Sequence, residues 1–281
     1  MRHSRRVLAL LFALLACPAF AQPYPTRPVK LLAPFTPGGG TDILSRIVAA
    51  KMSDSLGQQV VVENRPGANG AIGSAAVAKA PKDGYTLVWV TADTHAIIPH
   101  IYPNLNYDPR RDFASVGIAG YFPYALVVNP NFPAANVADF VAQAKARPGK
   151  VTFASWGVGG SAHVAMEMFK QQGKFDVLHV PFQGAAPAIQ AVVGGQVDSM
   201  IVPMSVADSY FRGGRLKMLG LASPARFAGA PELRTFAEQG VPVNAGTWVG
   251  IMAPAGTPHD VLQRLNSALN ATIEKIGRAH V

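Results

Sequence analysis

Residues 34–42 read PFTPGGGTD and residues 155–163 read SWGVGGSAH. In both, an apolar run ends in a turn of glycines, and a hydroxyl residue then opens a helix-like pattern. Glycine allows close approach of the backbone to a ligand, and Gly38 to Gly40 allow positive φ. The first N–H groups of a helix lack intrahelical acceptors and lie at the positive end of its dipole, so turns of this kind favour anions. Phosphate fits poorly. No lysine opens the helix after Gly40, which removes GxxxxGK[ST], and Ile43 stands where GxGxxG needs its last glycine. Glu63 ends the next strand about where a dinucleotide fold places its ribose-binding acid, so a nucleotide-dependent α/β enzyme is kept as an alternative. Two such turns in separate halves of the chain suit a small carboxylate held by backbone N–H groups from both sides. A third turn, Phe182-Gln183-Gly184-Ala185-Ala186, falls on the same expected rim.

Other chemistries find less support. His95 and His100 lie near Asp93, but HExxH is absent and His100 is flanked by Pro99 and Ile101, so both read as loop histidines with no metal site. Ser161 and His163 are too close along one helix start to face each other as nucleophile and base, and no GxSxG elbow exists. Trp156 and Trp248 read as core or hinge packing. The chain is expected to be no enzyme and to need no cofactor.

Residues 1–21 have the form of a signal peptide: basic MRHSRR, apolar VLALLFALLA, and an Ala19-Phe20-Ala21 cleavage site. Cleavage after Ala21 implies export to the periplasm, with a lipid anchor at Cys17 as the lesser alternative. Removing Arg2, Arg5 and Arg6 lowers the formal charge from +9 to +6, and the single cysteine leaves with them or becomes the anchor. No disulfide is then available, so a packed core must hold the fold, and 49% hydrophobic against 15% charged residues supplies one. The modest positive excess suits an anionic ligand, and scattered Lys and Arg without a basic run exclude a nucleic-acid partner. At the other end, IGRAHV (276–281) is what an in-frame sequencing adapter would encode, so it is read as a non-native tail cutting short a helix that begins near Pro258.

Between these ends, strands and helices alternate. Strands are expected at 29–35, 60–63, 85–91, 116–119, 124–128, 151–155, 177–180, 197–202, 216–222 and 247–253. Helices are expected at 42–56, 71–80, 137–146, 161–172 and 185–193, with a short one at 232–239. The pattern predicts mixed α/β sheets covered by helices on both faces. Two strands in quick succession after residue 115 suggest a crossing between domains.

The ordered segments YPTRPVKLLAPFTPGGGTDILSR, VVVENRPGANGAIG, DGYTLVW, YDPRRDF, SWGVGGSAH, HVPFQGAAPAIQAVVGGQVD and WVGIMAPAGTP resemble the substrate-binding receptors of the tripartite tricarboxylate transporter family, the Bug proteins. The resemblance runs from Tyr24 to about Glu274. It implies a two-lobed, type II periplasmic-binding-protein fold of the Venus-flytrap kind, truncated at its C-terminus. Lobe 1 would comprise 22–122 and 248–275, lobe 2 123–247, with hinges near 120–125 and 244–248. It also implies a monomeric receptor that binds a small carboxylate and passes it to membrane permease subunits, or alternatively reports it to a signalling partner. Carried onto this chain, the ligand shell comprises Thr36, Gly38, Gly39 and Asp42 from the first loop and Ser155, Gly157, Ser161 and His163 from the second, joined by Phe182 from the third turn. Asp42 would act by capping or by positioning water, since it repels a carboxylate. The apolar run Ser199-Met200-Ile201-Val202-Pro203 departs from the family's expected rim and puts transfer of any relative's ligand in doubt.

Overall fold

The computed structural model describes residues 24–278; the signal peptide, Cys17 and residues 279–281 of the expected tail lie outside the described residues. The apolar run at Val29–Ala33 forms β1, with Val29, Leu31, Leu32 and Ala33 buried. A glycine turn leads into α1 (Gly40–Leu56), whose Val48, Ala49, Met52 and Leu56 face inward at helical spacing. Gly57 ends it at φ 72°, donating its N–H to Ser53 O at 3.0 Å. There follow β2 (Val60–Asn64), α2 (Ala71–Ala78), β3 (Thr86–Thr91), the short α3 (Ile98–Ile101) and β4 (Phe113–Val128). The second half of the chain supplies α4 (Val137–Ala146), β5 (Thr152–Ser155), α5 (Ser161–Gly173), β6 (Leu178–Pro181), α6 (Ala185–Val193) and β7 (Ser199–Pro203). It closes with α7 (Met204–Arg212), β8 (Lys217–Ala222), β9 (Gly246–Pro254) and α8 (His259–Arg278).

Among the described residues, nine strands make one mixed sheet with two distinct halves. In the first, β2, β1 and β3 run parallel, and β9 lies antiparallel between β3 and β4. In the second, β7, β5 and β6 run parallel, while β7 and β8 flank the end of β4 antiparallel to it. The strand β4 belongs to both. Its residues Phe113–Pro123 pair with β9, and Tyr124–Val128 pair with β7 and β8. Sequence pattern divided it into two strands, 116–119 and 124–128, with Gly120 and Pro123 in the gap between them. Instead the register shifts near Gly117 and Gly120, and Pro123, which has no N–H to donate, falls where the strand changes partners.

Helices cover both faces of each half. The first half buries β1, β3, β9, α1 and α8 in one layer, with Val261, Leu265, Ala268 and Leu269 as the inner stripe of α8. Arg264 and Asn266 fix that helix by donating to Ser55 O at 2.8 Å and Val116 O at 2.7 Å. The second half packs Phe140, Phe153, Phe169 and Phe236 on one face and Ile189, Val192, Met200 and Leu221 on the other. Only Ala237–Gln239 of the helix expected at 232–239 is helical, as a single 3₁₀ turn.

Candidate ligand-binding site

The carboxyl ends of β1, β3, β5, β6 and β7 open onto one cavity of about 730 Å³, lined from both halves of the sheet. This is the position at which α/β sheets bind ligands, and the volume falls in the range of small-molecule sites. Thr36, Gly39, Gly40 and Thr41 line it from the β1–α1 turn, and Phe182, Gln183, Gly184 and Ala185 from the β6–α6 turn. Asn69, Asp93 and Tyr124 contribute from the first half and β4; Gly157, Val202, Pro203 and Val206 come from the second. Among the described residues no Arg, Lys or His lines the cavity. The positive potential must therefore come from the backbone.

The helix starts supply it. The N–H groups of Gly40 and Thr41 in α1, and of Ala185 and Ala186 in α6, have no acceptor among the described residues. The two turns face each other: a Cβ on Gly184 would lie 2.5 Å from Thr36 Oγ1, and one on Gly39 would lie 4.0 Å from Ala185 Cβ. Further around the rim, a Cβ on Gly40 would meet Val206 Cγ2 at 2.0 Å and one on Gly157 would meet Asn69 Oδ1 at 2.6 Å. These glycines are small because the opposite half arrives there. Asn69 and Tyr102 complete the contact, Asn69 donating to Val158 O at 2.8 Å and Tyr102 to the same oxygen at 3.4 Å. Thr91 also lines the cavity, and its buried Oγ1 has no hydrogen-bond partner among the described residues.

The second glycine turn is arranged differently. The first N–H of α5, from Ser161, donates to Asp93 Oδ1 at 2.7 Å, and the Ser161 hydroxyl donates to Oδ2 at 2.6 Å. Trp156 Nε1 adds a third bond to Oδ1 at 2.9 Å. Asp93 is 3% exposed, so these bonds replace its hydration. Tyr124 packs beside them, its hydroxyl hydrogen-bonded to Ser161 Oγ, and burial together with the Asp93 charge raises its pKa well above normal.

Of the residues expected to form the ligand shell, Thr36, Gly39, Gly157 and Phe182 line the cavity, and Gly38, Asp42, Ser155, Ser161 and His163 do not. Asp42 sits behind the first turn, accepting from Gly38 N at 2.9 Å, Asn64 Nδ2 at 2.8 Å and Arg46 Nε at 3.0 Å. Burial would raise its pKa, but the bonds from Arg46, Gly38 and Asn64 outweigh this and hold it below the usual range. The cap at this helix start is Gly39, with no side-chain hydrogen bond, so Thr41 does not cap. Only Gly38 of the three glycines has positive φ, at 77°. Ser155 is fully buried; its Oγ spans the Gly157 N–H and C=O at 3.1 and 3.0 Å and lies 2.7 Å from His179 Nε2. His163 accepts from Gly159 N at 3.1 Å and stacks on His179 at 4.1 Å between ring centroids, outside the cavity. Desolvation, then the neighbouring His163, lowers the His179 pKa to about 4.

Asp93, Asn69, Tyr102 and Val206 were not singled out as site residues. Asp93 lies two residues past the end of β3, on the same rim as the glycine turns, a position that pattern alone could have marked. Asn69 had a weaker signal, since NRPGANG reads simply as a loop, although Asn tolerates the left-handed conformation found there (φ 51°).

A two-part sheet crossed by a shared strand, with a cavity between its halves and helix starts aimed into it, defines a binding-protein fold of the two-lobed periplasmic type. Residues 44–278 match the family described as tripartite tricarboxylate transporter family receptor, and the chain belongs to it. BugT of Bordetella pertussis is 37% identical over 92% of this chain and 80% of its own length. Among solved structures, a Rhodopseudomonas palustris protein with adipate superposes at a TM-score of 0.86, 34% identical, covering 88% of this chain and 83% of its own. MatC from the same organism, with bound malate, superposes at 0.83 and is 33% identical, covering 89% and 85%. The family and these neighbours are binding proteins rather than enzymes.

Proposed function

We propose that this receptor captures a small carboxylate between its halves and delivers it to the permease subunits of a tripartite tricarboxylate-type transporter. The observation that carries the reading is the opposition of two unsatisfied helix starts, α1 and α6, across a cavity with no basic side chain. Backbone N–H groups fixed by the fold satisfy a carboxylate without the desolvation of a lysine or arginine. Adipate in one neighbour and malate in another support the ligand class. The halves act as lobes, 22–122 with 248–275 and 123–247, hinged where β4 and β9 pass between them. The receptor works as a monomer in the periplasm after cleavage at Ala21; among the described residues no helix is long and apolar enough to cross a membrane.

Thr36, Gly39, Gly40, Thr41, Gln183 and Ala185 form the carboxylate seat. Gly38 and Asp42 shape it from behind, Ser155 fixes the Gly157 turn, and Phe182 with Val202, Pro203 and Val206 contacts the ligand's carbon frame. A thermal-shift panel of mono-, di- and tricarboxylates, neutral sugars and nucleotides tests the assignment. A carboxylate at one hundred times its dissociation constant should stabilise the protein by about 2.7 kcal/mol. A response to sugars or nucleotides alone would refute it.

A further inference from the structure

Four helix starts, those of α1, α5, α6 and α7, surround the cavity, and a protein carboxylate already occupies one of them. Asp93 comes from the first half, at the end of β3, whereas Ser161 and Trp156 belong to the second. Its carboxylate makes with α5 the contacts a bound anion would make: one backbone N–H, one hydroxyl and one indole N–H, at 2.6 to 2.9 Å. No basic side chain lines the cavity to share that charge.

We propose that Asp93 is a built-in anion that bridges the two halves, latching the closed form and reserving the α1 and α6 starts for the ligand's carboxylate. Two consequences follow from the charges. When the halves separate, Asp93 and the α5 start both return to water, so the latch contributes in the closed form alone. In that form a ligand carboxylate at α5 would face Asp93 at close range, and like charges in a partly desolvated site repel strongly. Asp93 is thus a positioning residue that sets both closure and ligand orientation. The orientation claim rests on the carboxylate reading above; the latch claim does not.

Closure can be read without any ligand. The chain after residue 21 has no cysteine, so Lys51→Cys and Lys145→Cys, one exposed on each half, accept a fluorophore pair cleanly. Asp93→Asn keeps the shape and removes the charge; it should lower the ratio of closed to open molecules about tenfold, the factor for one charge-assisted hydrogen bond. Ser161→Ala tests the contact from the other side, and once Asp93→Asn is present it should add little. In Asp93→Ala, sodium formate should restore closure and neutral formamide should not, since only the anion refills the α5 start. Energy transfer unchanged in Asp93→Asn, additive effects of the two substitutions, or equal rescue by formamide would each overturn the latch. If the carboxylate panel were silent while formate still rescued Asp93→Ala, the function would be wrong and the latch would stand.

Discussion

The turns at 36–42 and 155–163 share one grammar, strand then glycines then helix, and do opposite things. The first leaves the N–H groups of Gly40 and Thr41 open to the cavity, facing the α6 start. The second has its leading N–H taken by Asp93 and its Ser155 turned inward onto Gly157 and His179. A glycine-rich helix start is therefore an anion site only where the protein has not already supplied the anion. On the proposed reading the counterpart of the first turn is the third, at 182–186, and the second joins the halves through Asp93.

The sharpest way to break this comparison is Gly40→Ala. The residue is helical, so alanine suits its backbone, but the new Cβ would lie 2.0 Å from Val206 Cγ2 across the cavity. Carboxylate affinity measured by calorimetry should fall by about tenfold to a hundredfold, the scale of an overpacked contact, with no loss of stability. Val206→Ala should restore it. Unimpaired binding in Gly40→Ala would mean that the halves do not meet there. Ser155→Ala with Ser161→Ala comes next: both hydroxyls act behind the wall and satisfy buried groups, so affinity should fall about tenfold and the melting midpoint should fall with it. If only the melting midpoint fell, these hydroxyls would serve the fold alone.

Gly38→Ala should do the reverse of Gly40→Ala. At φ 77°, with open space where the Cβ would go, it costs about 1 kcal/mol of stability and leaves affinity nearly unchanged. Urea denaturation beside calorimetry separates the two glycines. A further lever on stability is pH. His95 and His179 are both lowered to about 4, His95 by burial and His179 by burial and then His163. Both are neutral in the fold and bind protons more readily when unfolded. Their contribution is complete above about pH 6.5 and is lost as pH falls toward 4. His179→Gln should flatten that decline between pH 6.5 and 4, and an unaltered profile would remove it from the account.

Much of the architecture was legible because it rests on periodicity: alternating strands and helices, glycine stops, and the apolar stripes of α1 and α8. The β4 strand was not, since Gly120 and Pro123 fall between the two expected strands and only tertiary pairing with β9 carries the strand through them. The site was half legible. Sequence marks where backbone N–H groups become free, and of the residues carried over from the resemblance Thr36, Gly39, Gly157 and Phe182 line the cavity. It does not show which of those groups a distant side chain will claim, and Asp93 is 68 residues from Ser161. Asp42, Ser155 and His163 were expected around the ligand, Asp42 by capping or positioning water; in the structure each bonds to its own turn.

The division of labour between the turns is tested most directly by amide-proton NMR of the complex. The carboxylate giving the largest thermal shift would be compared with its neutral carboxamide. The N–H resonances of Gly40, Thr41 and Ala185 should move strongly between the two complexes, and that of Ser161, held by Asp93, should stay in place. Movement of Ser161 with Gly40, Thr41 and Ala185 silent would put the ligand's carboxylate at the second turn and contradict the account.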